Sequence, residues 1–169
     1  MYYLKRTKLL DINQWNGLPR KYAYFLEKIC LLLLQKNYKC ICQKKKYHFP
    51  KILKCNDNVC KFYLSHCGKS LLEKNISKEK HLNKEDLLEQ INCIIYNLKK
   101  CNIKHYDIRA SNICISDDGC LSLIDFDYAS YNNLFYSVKI MTKDKQFKDN
   151  YYEMSKIKLQ NIVLKRLLD

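Results

Sequence analysis

The chain has 169 residues, 47% hydrophobic and 28% charged, a balance that builds a packed core and excludes a wholly disordered chain. Its 31 Lys and Arg against 17 Asp and Glu give a net charge of +14, yet the lysines are scattered and only Lys44-Lys45-Lys46 forms a compact cluster. That reads as a solvated loop, and the charge does not by itself point to a nucleic-acid partner. The longest apolar run, Ile29 to Leu34, is too short to span a bilayer.

Ten cysteines suggest a disulfide framework until their surroundings are read. Residues 1–15 carry no signal-peptide apolar region, and Cys30, Cys93 and Cys114 lie inside apolar patterns. Free, buried thiols in a reducing compartment are expected, and with them a cytoplasmic monomer. Cys40-x-Cys42 and the Cys55/Cys60 pair lack the C-x-x-C spacing of a zinc site, so no metal held by cysteine is expected.

In chain order, Tyr2-Tyr3-Leu4-Lys5 is a β-prone run ending in a lysine, and Gly17-Leu18-Pro19 marks a break. Arg20 to Lys36 then has the 3.6-residue rhythm of an amphipathic helix, with Tyr22, Phe25, Leu26, Ile29, Leu32 and Leu33 as its apolar stripe and Glu27 on the same helix. His48 to Leu53 and Lys61 to Leu64 read as two strands about a turn at Cys55 to Asn58. Ser65-His66-Cys67-Gly68 follows as a connector whose glycine supplies backbone freedom. Gly68-Lys69-Ser70 imitates the end of a phosphate-binding loop, but Tyr63 stands where that loop needs its first glycine.

Asn83 is a helix N-cap, with Glu85 and Asp86 in the first turn. Leu87, Leu88, Ile91, Ile94, Ile95 and Leu98 form the core face of that helix. Next comes Lys104 to Asp127. In it, Ile113 to Ile115 and Leu121 to Ile124 flank Asp117-Asp118-Gly119, a hairpin signal. Closing the hairpin brings Asp107, Asn112 and Asp125 to one end, where hard oxygen ligands suit a magnesium ion. Residues 128–136 read as irregular, 139–150 as polar, and Tyr151 to Leu168 as a last helix with Tyr152, Leu159, Ile162 and Val163 on one face.

His105-Tyr106-Asp107-Ile108-Arg109-Ala110-Ser111-Asn112, followed by Ile124-Asp125-Phe126-Asp127, resembles the catalytic loop and metal motif of the protein-kinase-like superfamily. The resemblance implies an α+β, kinase-like fold. Its small lobe, residues 1–68, would be abbreviated to about three antiparallel strands and one helix, with a hinge at 65–68. Its large lobe, residues 69–169, would be reduced and mainly helical, with the catalytic loop at 105–112 and the metal motif at 125–127.

The resemblance further implies an ATP- and Mg2+-dependent phosphotransferase of protein-kinase type, of the serine/threonine kind. Asp107 would be the base, Arg109 a phosphate contact, and Asn112 and Asp125 the metal ligands. Lys5, or its competitor Lys8, would hold phosphates in partnership with Glu27, and Ser65, His66 and Cys67 would meet the adenine. A protein substrate or a regulatory protein would be the partner. Three departures stand out: no glycine-rich loop, Tyr106 in place of an arginine, and Asp127 in place of a glycine. Asp125 to Asn132 also resembles a segment of choline and ethanolamine kinases, which keeps a small-molecule acceptor open, and the departures keep open a non-catalytic regulator of a kinase.

Overall fold

The computed structural model describes residues 2–6, 20–73, 82–132 and 150–168, with side chains described from residue 21 onward within those ranges. The expected break at Gly17 to Pro19, Lys8, and the stretch from 133 to 149 lie outside them, as does the Lys5 side chain. The described elements make an α+β fold. In order they are β1 (Tyr2–Arg6), α1 (Arg20–Asn37), β2 (Ile52–Asn56), β3 (Lys61–Ser65), β4 (Lys69–Ser70), α2 (Lys84–Lys100), β5 (Ile103–Lys104), β6 (Ile113–Ile115), β7 (Leu121–Leu123), β8 (Ser130–Tyr131) and α3 (Tyr151–Leu167).

Three antiparallel strands, β1-β3-β2, form one sheet with β3 central. Lys5 lies opposite Phe62 in its register. A second sheet, β4-β6-β7, contains the expected hairpin, and β5 pairs with β8. Asn83 caps α2 as expected, its side-chain oxygen accepting from the Glu85 N–H at 2.9 Å. One apolar core runs from Tyr24 and Phe62 under the first sheet, through Phe49 and Phe126, to Ile91, Leu98 and Leu159 between α2 and α3.

Two expectations are corrected. On α1 the buried face is Tyr24, Leu26, Glu27, Cys30, Leu31 and Leu34, whereas Tyr22, Ile29 and Leu32 are 51%, 43% and 45% exposed. The run Leu31 to Leu34 fits more than one helical phase, and an interior glutamate disguises the buried one. The strand expected from His48 begins instead at Ile52 and continues through Cys55 and Asn56, with the turn at Asp57–Val59. Residues 38–50, between α1 and β2, serve as a strut, the His48 carbonyl accepting from the Leu123 N–H at 3.0 Å.

Buried polar side chains lock this strut to α2. Asn97 accepts from the Lys39 N–H at 2.8 Å and donates to the Lys39 carbonyl at 2.9 Å. Gln90 does the same for the hairpin, accepting from the Leu121 N–H at 2.7 Å and donating to the Gly119 carbonyl at 3.1 Å. Such groups are stabilising only when satisfied, and these are. Lys44 and Lys46 reach Asp86 and Asp118 at 3.3 Å each, so two of the three clustered lysines face carboxylates of this protein. Among the described residues no helix is long and apolar enough to cross a membrane.

Candidate active site

The local chain between β5 and β7 folds so that its polar side chains turn to one end of the hairpin. The Ile124 N–H donates to the Asn112 carbonyl at 2.9 Å, which fixes the segment before Asp125 against the segment before β6. His105, fully buried, bonds through Nε2 to the Ile124 carbonyl at 2.9 Å, while its Nδ1 faces the Asp107 N–H at 3.3 Å. One neutral tautomer serves both contacts, with Nε2 as donor and Nδ1 as acceptor. Phe126 packs beneath, its ring 4.6 Å from that of His105.

Asp107 Oδ2 accepts from Asn112 Nδ2 at 2.8 Å and from Arg109 Nε at 3.1 Å. Asn112 also donates to the Asp107 carbonyl at 3.0 Å, so one amide fixes both the backbone and the side chain of that aspartate. Tyr128 stands among the same acids. Burial first, then the charges of Asp107 and Asp127, push its hydroxyl above the ordinary tyrosine range, with Arg109 opposing.

Two residues of this region hold backbone that favours glycine: Tyr106 at φ +58° and Asp125 at φ +68°. Each such non-glycine residue costs roughly 1–3 kcal/mol and persists only where its surroundings fix it. For Tyr106 the fixing group is visible. Its N–H donates to the hydroxyl of buried Tyr151 on α3 at 3.0 Å, so the last helix holds the loop from behind.

Beside these residues lies a cavity of about 470 Å³, within the range that receives small ligands. Asn112, Asp125, Glu27, His66 and Cys67 line it, as do Pro50, Leu64 and Ile124. Of the sequence-predicted residues, Glu27, His66, Cys67, Asn112 and Asp125 thus share one wall system, with Asp107 and Arg109 joined to it through Asn112. Ser65 is turned away, its hydroxyl oxygen accepting from the Lys51 N–H at 2.8 Å. Gly68 comes so close to the hairpin that an added Cβ would sit 2.1 Å from the Ile115 carbonyl oxygen, and its φ is +96°. No side chain fits there, so glycine is required where the connector crosses the second sheet.

Glu27 is fully buried and accepts from the Phe126 N–H at 3.2 Å. Its carboxylate, with those of Asp125 and Asp127, forms a group whose ligand atoms lie within 4.8 Å of one another. Three carboxylates at that range favour a cation among them, either a hard divalent ion or an ammonium. Their oxygen donors fit magnesium.

Sequence reading placed Asn112 and Asp125 at a metal and missed Asp127 as a donor, although it stands two residues from Asp125. It also missed Glu73, which lines the cavity and accepts from the Ser70 N–H at 3.0 Å; no motif marks that residue. No family model matches the chain, and no curated protein matches it.

Proposed function

We propose that the chain is an ATP- and magnesium-dependent phosphotransferase of protein-kinase type, its fold a compact variant of the kinase-like one. The observation that carries this reading is the joining of Asp107 to Asn112 at 2.8 Å beside a cavity that Asn112 and Asp125 both line. Phosphoryl transfer asks the protein chiefly for positioning and charge, and these are the residue types it uses.

Asp107 accepts the proton of the attacking hydroxyl, held by Asn112 in a fixed rotamer. Arg109, 60% exposed beside it, meets the phosphate or the acceptor from solvent. Leu64, His66 and Cys67, which line the cavity where β3 leads into the connector, would hold the adenine. Asp125, Asp127 and Glu27 supply oxygen donors to a divalent cation, and Asn112 is the neutral donor beside them. When bound, the nucleotide and its cation supply the transferable phosphoryl group and neutralise its oxygens.

Transfer of label from γ-labelled ATP to generic protein acceptors, compared with choline, ethanolamine and aminoglycosides as acceptors, tests the reading. Transfer to protein that is lost in Asp107→Asn supports it. Label on a small hydroxyl compound alone moves the acceptor class, and nucleotide binding without any transfer makes the chain a regulator rather than an enzyme.

A further inference from the structure

The strut after α1 carries a second cluster of ligating side chains, remote in chemistry from the carboxylates. Cys40 and Cys42 leave the end of α1 on the strut, and Cys93 comes from the middle of α2. The three sulfur atoms lie within 4.8 Å of one another, with Cys40 and Cys42 only 3.5 Å apart. His48 approaches on the Cys42 side, its Nε2 3.1 Å from the Cys42 sulfur. Cys42, Cys93 and His48 are buried, and Cys40 is half-buried.

We infer that Cys40, Cys42, Cys93 and His48 form a structural site for a thiophilic metal, zinc by preference. Two thiolates on a tetrahedral zinc stand about 3.8 Å apart, and a thiolate and an imidazole nitrogen about 3.5 Å apart. The Cys40–Cys42 and Cys42–His48 pairs depart from those spacings by a few tenths of an ångström; the group mutually within 4.8 Å is the three sulfurs, and His48 would complete it as fourth ligand by a shift of its ring towards them. Three sulfurs and one nitrogen are the donor set that selects zinc or copper(I) over the hard cations.

The surroundings are those of a ligand shell. His48 Nδ1 donates to the Leu121 carbonyl at 2.7 Å, which leaves the lone pair of Nε2 directed at the cluster, the tautomer a metal-bound histidine uses. The Ile41 N–H points at the Cys93 sulfur from 3.4 Å, the Tyr38 hydroxyl stands 3.5 Å from it, and Asn97 Nδ2 stands 3.7 Å from it. Three polar groups thus surround one sulfur of the cluster. The cluster is closed, so the metal would be structural rather than catalytic.

Its consequence is mechanical. The metal would staple the strut at residues 40–48 to α2, and the strut ends at Pro50, which lines the cavity. This inference stands apart from the phosphotransferase reading, and neither depends on the other.

The test is metal content of the untagged full chain, purified from zinc-supplemented cells under reducing conditions without chelator. About one equivalent of zinc per chain is expected, replaceable by cobalt(II) with the intense ligand-field and sulfur-to-cobalt absorption of a tetrahedral thiolate site. Cys42→Ser and Cys93→Ser should lose it, while Cys55→Ser, on β2, should keep it. Should the serine variants fail to fold, alkylation of the unmutated protein decides: Cys40 should be protected from iodoacetamide until a chelator is added. A metal-free protein whose Cys40 alkylates equally with and without chelator would overturn the inference, as would a folded Cys93→Ser variant with full zinc and an unchanged cobalt spectrum. In either case, the short contact between Cys42 and His48 is only a thiol hydrogen bond.

Discussion

Glu27 on α1 accepts a hydrogen bond from the backbone N–H of Phe126 at 3.2 Å, across ninety-nine positions of sequence. This bond fixes the helix beside the first sheet to the segment that presents Asp125 and Asp127. Glu27→Gln keeps an acceptor for that N–H and removes the charge, whereas Glu27→Leu removes both. The first variant should fold with a near-normal melting temperature but show a weaker stabilisation by magnesium and ATP. The second should lose about 1–3 kcal/mol through the orphaned buried N–H. Scanning calorimetry with and without ligand separates the two, and a ligand-induced shift in Glu27→Gln equal to that of the unmutated protein would deny the charge any part in cation binding.

Asp107→Asn leaves a side chain of the same size but without the basic oxygen. Phosphotransfer should fall by roughly 10²–10⁴, the usual contribution of a positioned general base, with nucleotide affinity nearly unchanged. Single-turnover kinetics measures this directly. A variant that transfers at the unmutated rate would remove Asp107 from the chemistry.

Tyr151→Phe removes the acceptor of the Tyr106 N–H, where the backbone is already at φ +58°. The loss should be about 1–3 kcal/mol, lowering the melting temperature by several degrees. Because Tyr106 precedes Asp107, the transfer rate should fall as well while the KM for ATP holds. A change in stability with no change in rate would show that α3 supports the loop without positioning the base.

Gly68→Ala and Gly119→Ala make an internal comparison. At Gly68 the new Cβ meets the backbone of Ile115 at 2.1 Å, but at Gly119 it meets the flexible end of Leu82 at 3.1 Å. Both have positive φ, so both are strained. Chemical denaturation should show Gly68→Ala much the more destabilised, and it should also perturb the cavity wall that His66 and Cys67 form. Equal losses would mean that the connector yields where the backbone contact says it cannot.

Alkaline pH acts through buried thiols. Burial, helped by the charge of Glu27, pushes the Cys30 thiol from 9.0 up to about 12. Burial, with Cys67 and Glu73 adding to it, does the same to Cys114, from 9.0 to about 12. The folded-state pKa is the higher one, so this stabilisation is fully present below pH 9.0 and is lost as pH rises towards about 12. Melting temperature should therefore decline steeply through that window. Cys30→Ala should start lower at neutral pH and decline less steeply, and parallel curves for the two proteins would contradict the assignment.

Much of this arrangement is legible in the sequence where local signals and tertiary demands agree. The Asn83 cap, the core stripe of α2 and the Asp117-Asp118-Gly119 turn each specify their own geometry, so the hairpin and its polar end follow from spacing alone. Glu27 is a harder case: the side chain that matters most on α1 is the one that breaks its apolar pattern, and four consecutive leucines leave the helix phase open. The Cys40, Cys42 and Cys93 cluster is harder still. Its third member lies on another helix, and no spacing rule reports a contact that only the packing of the strut on α2 creates. Asp127 could have been weighed as a donor, since it stands beside Asp125 in a segment already assigned to metal binding.

The central claim is that Asp125, beside Asn112 and the cavity, holds a cation together with a nucleotide. Isothermal titration of ATP into the full chain, with magnesium and then with magnesium replaced by EDTA, tests it most directly, in the unmutated protein and in Asp125→Asn. Binding that requires magnesium, and that Asp125→Asn weakens at least about tenfold, or ~1.4 kcal/mol, is the predicted result. Binding of equal strength in both proteins, or none in the unmutated one, would contradict it.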